Sequence, residues 1–290
     1  MLSYKHARRR LAGMINEQLM PRFGVKVVRS RPQSVRYRRL GERDGLSQLR
    51  VSAFGQSRDV ALRSGTSDWM TFDQIFIDED YDLRPLARYG ELHGMYESMV
   101  REGKTPLIVD LGANVGFSAL YFSLVWPKAQ VVAVEPDPEN FDLLQRNVAS
   151  VATINALWGA AASSSGTVSI KDPKADKNAI RTTSAPTGIG IDVAAVTMPQ
   201  LLAEQAGPAA VPFIVKIDIE GGEGELFAGN LDWVDAFPLI IIELHDWLYP
   251  GERTSRNFLR AISERDRDFV YLDENVFSIC NSRSAALVEG

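Results

Sequence analysis

The sequence predicts an α/β fold in which a doubly wound, mostly parallel sheet carries a small N-terminal β/α cap. Two observations support this prediction. From Pro106 onward, apolar strand-like runs alternate with segments of helical periodicity, which is the pattern of a parallel sheet covered on both faces. Before that point, short β-like runs separated by Gly, Ser and Asp precede one helical segment. We therefore divide the chain into an N-terminal basic segment and cap, residues 1–95, and a main domain, residues 96–290.

The composition, with 45% hydrophobic and 24% charged residues, is that of a soluble globular protein. No window approaches the roughly 18 apolar residues of a membrane span, and the opening "MLSYKHARRR" lacks the apolar core of a secretory signal. Cys280 is the only cysteine, which excludes an internal disulfide and a thiolate metal cluster. These features predict a cytoplasmic protein without a transmembrane segment.

Positive charge is concentrated at the N-terminus. Residues 1–50 carry 13 Lys and Arg against 3 Asp and Glu, whereas the whole chain has a net charge of -5. The acidic remainder shows no basic face that would extend a nucleic-acid footprint, so we expect no nucleic-acid partner. We favour a basic segment that lies on its own acidic body. An amphipathic helix over residues 3–19 would also allow weak contact with a membrane surface.

The cap is predicted to contain three β-like runs followed by a helix. Residues from Val25 to Arg50 are basic and are expected to be irregular. The predicted elements are, in order, the runs "LRVSAF", "DVALRSG" and "MTFDQIFI" and the helix "LRPLARYGELHGMYESMVREG".

The main domain is predicted to alternate strands and helices. Its first strand, "LIVDLG", leads into a helix with Phe117, Leu120 and Leu124 on one face, stopped by Pro127. Later helices are predicted after Asp137, Pro199 and Gly222 and at residues 253–266. The later strands are "QVVAVEP", "TINALWGAA", "PFIVKIDIE" and "PLIIIELHD", with a β insertion from "GTVSIKD" and "GIGIDVAAVTM" around a polar loop at 171–187, and a terminal β pair from "FVYLDE" and "VFSIC".

The turn after the first of these strands has an unusual glycine spacing. Gly112 and Gly116 depart from the G-x-G-x-x-G pattern whose converging N–H groups grip a pyrophosphate. The turn carries Asp110 and Asn114 instead, and these suit an ammonium or a zwitterion. Glu135 ends the second strand, where a carboxylate accepts ribose hydroxyls. Together they favour S-adenosylmethionine over a dinucleotide, while a glycine turn that serves only close packing remains the structural alternative.

A second group of polar residues ends two apolar strands. Because side chains alternate along a strand, Asp218 and Glu220 share one side, and so do Glu243 and His245. If the two strands are neighbours, these four side chains form one cluster. Asp246 points the other way, so it makes a poor dyad with His245. Lys216, on the same side as Asp218, is expected to pair with a carboxylate and hold the sheet.

Five motifs in order resemble those of FkbM-type methyltransferases. The order and spacing match from about Val60 to Cys280, and residues 1–50 fall outside the resemblance. It implies a class I S-adenosylmethionine-dependent fold with a seven-stranded sheet, and methylation of a hydroxyl on a sugar, a polyketide or another secondary metabolite. The motifs are "RSGTSDWMTFDQIF", "LIVDLGANVGFSALYFS", "AVEPDPENFDLLQRNV", "VKIDIEGGEGELF" and "IIIELHDW".

The resemblance also implies roles for individual residues. Glu135 would bind the ribose, and Ala160 is placed near the adenine by its position after the third strand. Asp218 and Glu220 would lie near the sulfonium and the acceptor. The methionine part of the cofactor would be held by Asp110, Gly112, Asn114 and Gly116.

An alcohol must lose its proton as the new bond forms. His245 is the favoured general base because its ordinary pKa of about 6.5 lies near working pH, and Glu220 is the alternative. Asp218, Glu220, Glu243 and His245 would also suit Mg²⁺ or Mn²⁺, which could lower the pKa of the acceptor hydroxyl. From the cap, the polar side chains that could close over the site are Asp68, Thr71 and Gln74.

Two other functions remain open at the level of sequence. One is an NAD(P)-dependent oxidoreductase, which the glycine spacing and the lack of an evident Tyr-x-x-x-Lys pair disfavour. The other is a non-catalytic module of the same fold that binds a partner through its basic N-terminus. The expected partner of the enzyme is a small hydroxylated acceptor, and the sequence leaves the oligomeric state undecided.

Overall fold

The computed structural model describes residues 34–170 and 191–281, together with the backbone of residues 182–183. From Val35 onward the chain forms one compact unit. The predicted helix at residues 3–19 and most of the predicted polar loop at 171–187 lie outside the described residues. The predicted division of the chain near residue 95 stays a prediction.

The cap begins with a three-stranded antiparallel sheet. It consists of β1 (Arg36–Arg43), β2 (Leu46–Ala53) and β3 (Gln56–Arg63). The expectation of irregular chain up to Arg50 was therefore wrong. All eight residues of β1 are exposed, so this strand has no alternating apolar pattern and is held by its pairing with β2.

The third β-like run of the cap is helical, which corrects the prediction of a strand for "MTFDQIFI". Helix α1 (Asp68–Phe72) continues directly into a π-helical segment, Asp73–Ile77. Phe72 and Phe76 are both fully buried and lie four residues apart, which is helical spacing. Short apolar runs fit either period, and here packing against the main domain decides. Helix α2 (Tyr89–Arg101) is shorter at its start than predicted.

The main domain contains a seven-stranded sheet and a smaller four-stranded one. The large sheet has the strands β4 (Thr105–Leu111), β5 (Gln130–Glu135), β6 (Ile154–Trp158), β11 (Ala210–Ile217), β12 (Leu239–Glu243), β13 (Arg267–Leu272) and β14 (Asn275–Cys280). The small sheet has β7 (Ala160–Ala161), β8 (Gly166–Ile170), β9 (Thr182–Thr183) and β10 (Ile191–Val196), which confirms the predicted β insertion.

The helices of the main domain follow its strands. They are α3 (Phe117–Val125), α4 (Pro138–Val148), α5 (Met198–Gln200) with a π-helical extension over Leu201–Gln205, α6 (Glu223–Leu226), a 3-10 turn at Asp232–Ala236, and α7 (Arg256–Ser263). In the part of the chain that the structure covers, no helix is both long and apolar enough to cross a membrane.

The large sheet has the strand order β13-β14-β12-β11-β4-β5-β6. All neighbouring pairs are parallel except those that β14 makes with β12 and β13. The chain builds outward from β4 to β6 and then returns to β11 on the other side of β4. This reversal places a crevice beyond the carboxyl ends of β4 and β11, where open sheets of this kind bind ligands.

Apolar side chains alternate between the two faces of the large sheet. On one face Ile108 and Ile214 pack against the cap and α1–α4, and on the other Val109 and Val215 pack against α5–α7. The sheet is therefore buried on both faces, which confirms the predicted doubly wound α/β fold. The aromatic contacts of Phe117 in α3 with Phe72, at a ring-centroid distance of 5.8 Å, fix the cap on the first face.

Candidate functional site

The glycine turn after β4 is in direct contact with the end of β11. Gly112 has a φ of 76°, and a Cβ placed on it would lie 1.8 Å from the backbone oxygen of Asp218. Gly116 has a φ of 88°, and a Cβ there would lie 2.6 Å from Leu144 of α4. Backbone packing therefore requires glycine at position 112, whereas at position 116 the left-handed φ favours glycine and the close atom is the end of a leucine side chain. Their predicted contact with a cofactor stays a prediction.

The glycine turn is supported by an ion pair between Asp110 and Lys216. Asp110 is fully buried, lies 3.1 Å from the Lys216 Nζ and accepts a hydrogen bond from the Ser118 hydroxyl at 2.5 Å. Lys216 also donates to the Gly112 carbonyl at 2.6 Å. Burial lowers the pKa of Lys216, but the charges of Asp110 and Asp218 outweigh it and raise that pKa above its ordinary value. The predicted structural pairing of Lys216 is confirmed, and Asp110 shapes the turn through it.

The carboxylate of Glu135 lies against the same turn. Its Oε2 accepts the backbone N–H of Asn114 at 2.8 Å, and its Oε1 accepts the N–H of Asp137 at 3.0 Å and the amide of Asn140 at 3.5 Å. Burial raises the pKa of Glu135 to about 7, although the donated backbone hydrogen bonds oppose the rise. The carboxyl group is thus held in place, and with a pKa of about 7 its protonated and ionised forms are present in similar amounts at neutral pH.

Ala160 lies in the short strand β7, next to the carboxyl end of β6. Its side chain is buried in a small apolar cluster with Ala162 and Val168. Its methyl group therefore packs against other side chains of the protein. A contact with adenine would involve its backbone, and this role also stays a prediction.

The four polar residues at the ends of β11 and β12 do meet. These strands are parallel neighbours. The Nε2 of His245 lies 3.4 Å from Glu220 Oε2, 3.6 Å from Asp218 Oδ1 and 3.8 Å from Glu243 Oε1. His245 is only 2% exposed. The predicted cluster is confirmed as a geometric arrangement, and ligand atoms of Asp218, Glu220 and His245 lie within 4.8 Å of one another.

A fifth member of this cluster, Glu223, was not predicted from the sequence. It is fully buried in the first turn of α6, and its Oε1 lies 2.8 Å from the Nδ1 of His245 and accepts the N–H of Gly221 at 3.1 Å. Asp246, by contrast, accepts from the backbone of Ser255 at 3.3 Å. The prediction that Asp246 is not the partner of His245 is confirmed. A charged residue in the middle of the motif "DIEGGEGELF" was the one available signal for Glu223.

The cluster has unusual protonation properties. Burial lowers the pKa of His245, but the hydrogen bond that it donates to Glu223 and the charges of Glu220 and Asp218 raise it to about 10. Burial, together with Asp218 and Glu223, raises the pKa of Glu220 to about 8, although the charge of His245 opposes this. Burial and the charge of Asp218 raise the pKa of Glu243 well above its ordinary value. The raised pKa favours the doubly protonated imidazole of His245 at neutral pH, in which both ring nitrogens donate, and the predicted role of His245 as general base stays a prediction.

Glu220 is held in a strained backbone conformation. Its φ is 51°, a left-handed value that non-glycine residues rarely adopt. The next residue, Gly221, has a φ of 94°, and a Cβ there would lie 2.6 Å from the ring of Tyr249. Such strain is concentrated at functional sites, where it keeps a side chain in one place. Here it directs the Glu220 carboxylate toward His245.

The three predicted cap residues, Asp68, Thr71 and Gln74, lie in α1 and in the π-helical segment that follows it. Asp68 is buried and pairs with Arg63 at 2.8 Å. The hydroxyl of Thr71 donates to the backbone oxygen of Ser67 at 3.3 Å, within the helix. Gln74 is partly buried in the π-helical segment. Only Asp68 is therefore tied to a second charged group among these three.

The strand order, with one reversed strand next to the edge, and the glycine turn at the switch point define a class I S-adenosylmethionine-dependent methyltransferase fold. Residues 110–271 match the model of the methyltransferase FkbM domain, and the chain belongs to that family. The predicted family and fold class are confirmed.

Individual relatives are methyltransferases as well. The chain is similar to the hexuronic acid methyltransferase AglP of Haloferax volcanii, with 29% identity over 56% of this chain and 67% of that protein. It is also similar to the methyltransferase sdnD of Sordaria araneosa, with 33% identity over 33% of this chain and 32% of that protein. A solved structure of a putative O-methyltransferase from Klebsiella pneumoniae matches at a TM-score of 0.39 and 13% identity, over 67% of this chain and 80% of that one.

Proposed function

We propose that this chain transfers a methyl group from S-adenosylmethionine to a hydroxyl of a small-molecule acceptor. The cofactor supplies a methyl group on a sulfonium, which is an electrophile that needs no further activation. The observation that carries the proposal is the cluster of three partly buried carboxylates, Asp218, Glu220 and Glu243, around the buried His245, which adjoins the glycine turn through the contact of Gly112 with Asp218. Proton-accepting groups thus lie beside the crevice where the fold binds ligands.

The residues around the glycine turn fit the cofactor. Asn114 has a φ of 50°, and its Oδ1 is buried without a hydrogen-bond partner among the described residues, so it can accept from the ammonium of the methionine part. Glu135 would accept the ribose hydroxyls. Asp110, Gly112 and Gly116 would shape the turn, and the backbone near Ala160 would lie beside the adenine.

The proton of the acceptor hydroxyl would pass to Glu220. A carboxylate whose pKa is about 8 is a stronger base than an ordinary one and is still ionised in part at neutral pH. The protonated His245 would donate a hydrogen bond to Glu220 or to the acceptor oxygen, and Asp218 would orient the acceptor. Holding oxygen, carbon and sulfur in line would supply much of the rate.

The charge of the cluster bears on the acceptor. Four carboxyl groups, counting Glu223, surround one imidazole, so an anionic acceptor would add to their mutual repulsion wherever they are ionised. A neutral hydroxylated sugar or polyketide fits this surrounding. The relative AglP is named for a hexuronic acid, and a carboxylate-bearing sugar of that kind would need a cation between itself and the cluster.

A divalent cation site is a second candidate role for the same atoms, and the Glu223–His245 pair favours it. A buried carboxylate that fixes the Nδ1 of a histidine and leaves Nε2 toward other ligands is the usual support of a metal-binding imidazole. Asp218, Glu220 and Glu243 supply oxygen ligands that suit Mg²⁺ or Mn²⁺. Such an ion would lower the pKa of the acceptor hydroxyl.

Calorimetry with the full chain tests the proposed function. We expect S-adenosylmethionine and its demethylated product to bind and NAD(H) not to bind, with Glu135→Ala weakening the adenosyl ligands. Methyl transfer to a panel of hydroxylated sugars and polyketides would then be followed by mass spectrometry. Binding of NAD(H) alone would support the oxidoreductase alternative, and binding of no nucleotide would support a non-catalytic module.

A further inference from the structure

Arg63, at the end of β3 in the cap, is a partly buried guanidinium with an incomplete set of partners among the described residues. Its Nε and Nη2 donate to Asp68 at 3.0 and 2.8 Å, and Nη2 also donates to Asn140 at 2.7 Å. The side chain of Arg63 is 18% exposed and that of Asp68 is 1% exposed. The remaining nitrogen, Nη1, is buried and has no hydrogen-bond partner within the described ranges. An unsatisfied donor on a charged group is costly to bury, so it marks a place for an acceptor.

Hydrogen bonds place Arg63 beside the glycine turn of the main domain. Asn140, which accepts from Arg63, donates to Glu135 at 3.5 Å, and Glu135 accepts from the backbone of Asn114 at 2.8 Å. The end of β3 is thus connected to the turn through two side chains.

A second connection runs through Asn147 of α4. Its Oδ1 accepts the N–H of Ala61 at 2.7 Å, and its Nδ2 donates to the carbonyls of Ala61 at 3.0 Å and Val115 at 2.8 Å. Ala61 lies two residues before Arg63 on β3, and Val115 follows Asn114 in the turn. The cap strand and the turn are therefore joined by one amide, which holds the end of β3, where Arg63 lies, next to the glycine turn.

Besides Oδ1 of Asp110, which lies 3.1 Å from the Nζ of Lys216, three buried polar atoms in this region lack hydrogen-bond partners among the residues that the structure describes. They are Nη1 of Arg63, Oγ of Ser67 and Oδ1 of Asn114. Two of them can donate, and they come from the cap; the third is an acceptor in the turn. A zwitterionic amino acid is complementary to this set, because its carboxylate accepts from a guanidinium and a hydroxyl while its ammonium donates to an amide oxygen.

We propose that the cap binds the carboxylate of the cofactor's methionine part through Arg63 and Ser67. The proposal rests on the function proposed above and extends the cofactor site beyond the glycine turn into the N-terminal sheet and helix. Asp68 and Asn140 then act as positioning residues, since they hold the fork of Arg63 in a fixed plane. A purely structural ion pair between Arg63 and Asp68 is the competing explanation.

Ligand pairs that differ only in the amino acid separate these explanations. S-adenosylhomocysteine carries the ammonium and carboxylate, whereas 5′-methylthioadenosine lacks both and keeps the nucleoside. We expect Arg63→Gln to weaken S-adenosylhomocysteine by about 10- to 100-fold, the range of one charge-assisted hydrogen bond. The affinity for 5′-methylthioadenosine should change by less than about twofold, because this ligand lacks the carboxylate that Arg63 would bind.

A matched control is Arg50→Gln. Arg50 belongs to the same cap sheet and forms its own two-point pair with Asp59, at 2.5 and 2.6 Å, but it is exposed on the surface. We expect this variant to bind both ligands as the unchanged protein does. Ser67→Ala, which leaves the Arg63–Asp68 pair intact, should weaken S-adenosylhomocysteine alone, by a smaller factor; it also serves if Arg63→Gln fails to fold in a thermal melt.

The outcomes distinguish this inference from the function on which it rests. Equal weakening of both ligands by Arg63→Gln and by Ser67→Ala, or no weakening of either, would overturn the carboxylate site while leaving the methyltransferase proposal in place. Failure of the unchanged protein to bind either adenosyl ligand would overturn both. Selective loss of S-adenosylhomocysteine in the two cap variants, with Arg50→Gln unaffected, would support the site.

Discussion

The two sides of the crevice treat buried carboxylates in opposite ways. On the cofactor side, the carboxylate of Glu135 receives hydrogen bonds from Asn114, Asp137 and Asn140. On the acceptor side, carboxylates crowd around the single imidazole of His245 and share too few donors. The hydrogen-bonded Glu135 is suited to hold a ligand in place. The carboxylates around His245 repel one another unless a proton or a cation compensates their charge. The comparison supports the proposed function, in which cofactor binding would take place on one side and proton transfer on the other.

The largest expected effect comes from removing charge on the acceptor side. Glu220→Gln should lower kcat by about 10²- to 10⁴-fold, the usual contribution of a positioned acid or base. The Kd of the cofactor should stay nearly unchanged, because Glu220 lies outside the cofactor side. Glu264→Gln, a surface carboxylate paired with Arg260, is the control. A variant that keeps full kcat in steady-state assays would assign proton transfer elsewhere.

A bound divalent cation should reduce the repulsion among the carboxylates around His245. If Mg²⁺ or Mn²⁺ binds the cluster, a free ion concentration of 100 times Kd should stabilise the protein by about 2.7 kcal/mol. For a chain of this size the melting temperature should rise by about 5–10 °C. The rise, measured by differential scanning fluorimetry with a chelator as reference, should vanish in His245→Gln. An equal rise in that variant would show that the ion binds at another place.

The affinity for the cofactor should depend on pH. Only ionised Glu135 is a full acceptor for two ribose hydroxyls, and burial raises its pKa to about 7. Roughly nine-tenths of the carboxyl is ionised at pH 8 and roughly one-tenth at pH 6, so cofactor affinity should fall about tenfold as the pH is lowered between them. Calorimetry at the two pH values measures this. In Glu135→Gln the affinity should be weak at both, and an unchanged tenfold difference there would point to another group.

The smallest expected effect concerns the backbone of the acceptor side. The left-handed φ of 51° at Glu220 costs roughly 1–2 kcal/mol for a residue with a Cβ. Glu220→Gly removes this strain and one of the crowded carboxylates, so the free energy of unfolding should rise by about 1 kcal/mol while activity is lost. Urea titration checks the first part. A less stable variant would mean that the carboxylate contributes more to the fold than to the reaction.

Much of this arrangement followed from the sequence because its residues sit at strand ends. Asp218 and Glu243 end long apolar runs, and the alternation of side chains along a strand placed His245 with them. Parallel strands bring their carboxyl ends to one edge, so the cluster could be predicted before the strands were known to be neighbours. The pairing of Lys216 with a carboxylate could be predicted from the cost of burying an unpaired charge, and the structure identifies that carboxylate as Asp110.

Other features depend on tertiary contacts that leave little trace in the pattern. Glu223 follows a double-glycine turn whose direction is set by packing, so its charge within the motif did not reveal that it would contact His245. Strand β1 is exposed along its whole length and shows no alternation. The high pKa of His245 results from several opposing contributions of similar size, and their sum requires the actual distances.

Gly112 has a consequence for how relatives diverge. Because not even a methyl group fits between its Cα and the carbonyl of Asp218, the turn that would hold the methyl donor and the strand that faces the acceptor form one solid block. Under the proposed function, a substitution at Gly112 would disrupt this contact rather than adjust the path along which the methyl group would move. We therefore expect relatives to accommodate new acceptors by changes at the rim of the crevice, with the reaction geometry inherited unaltered.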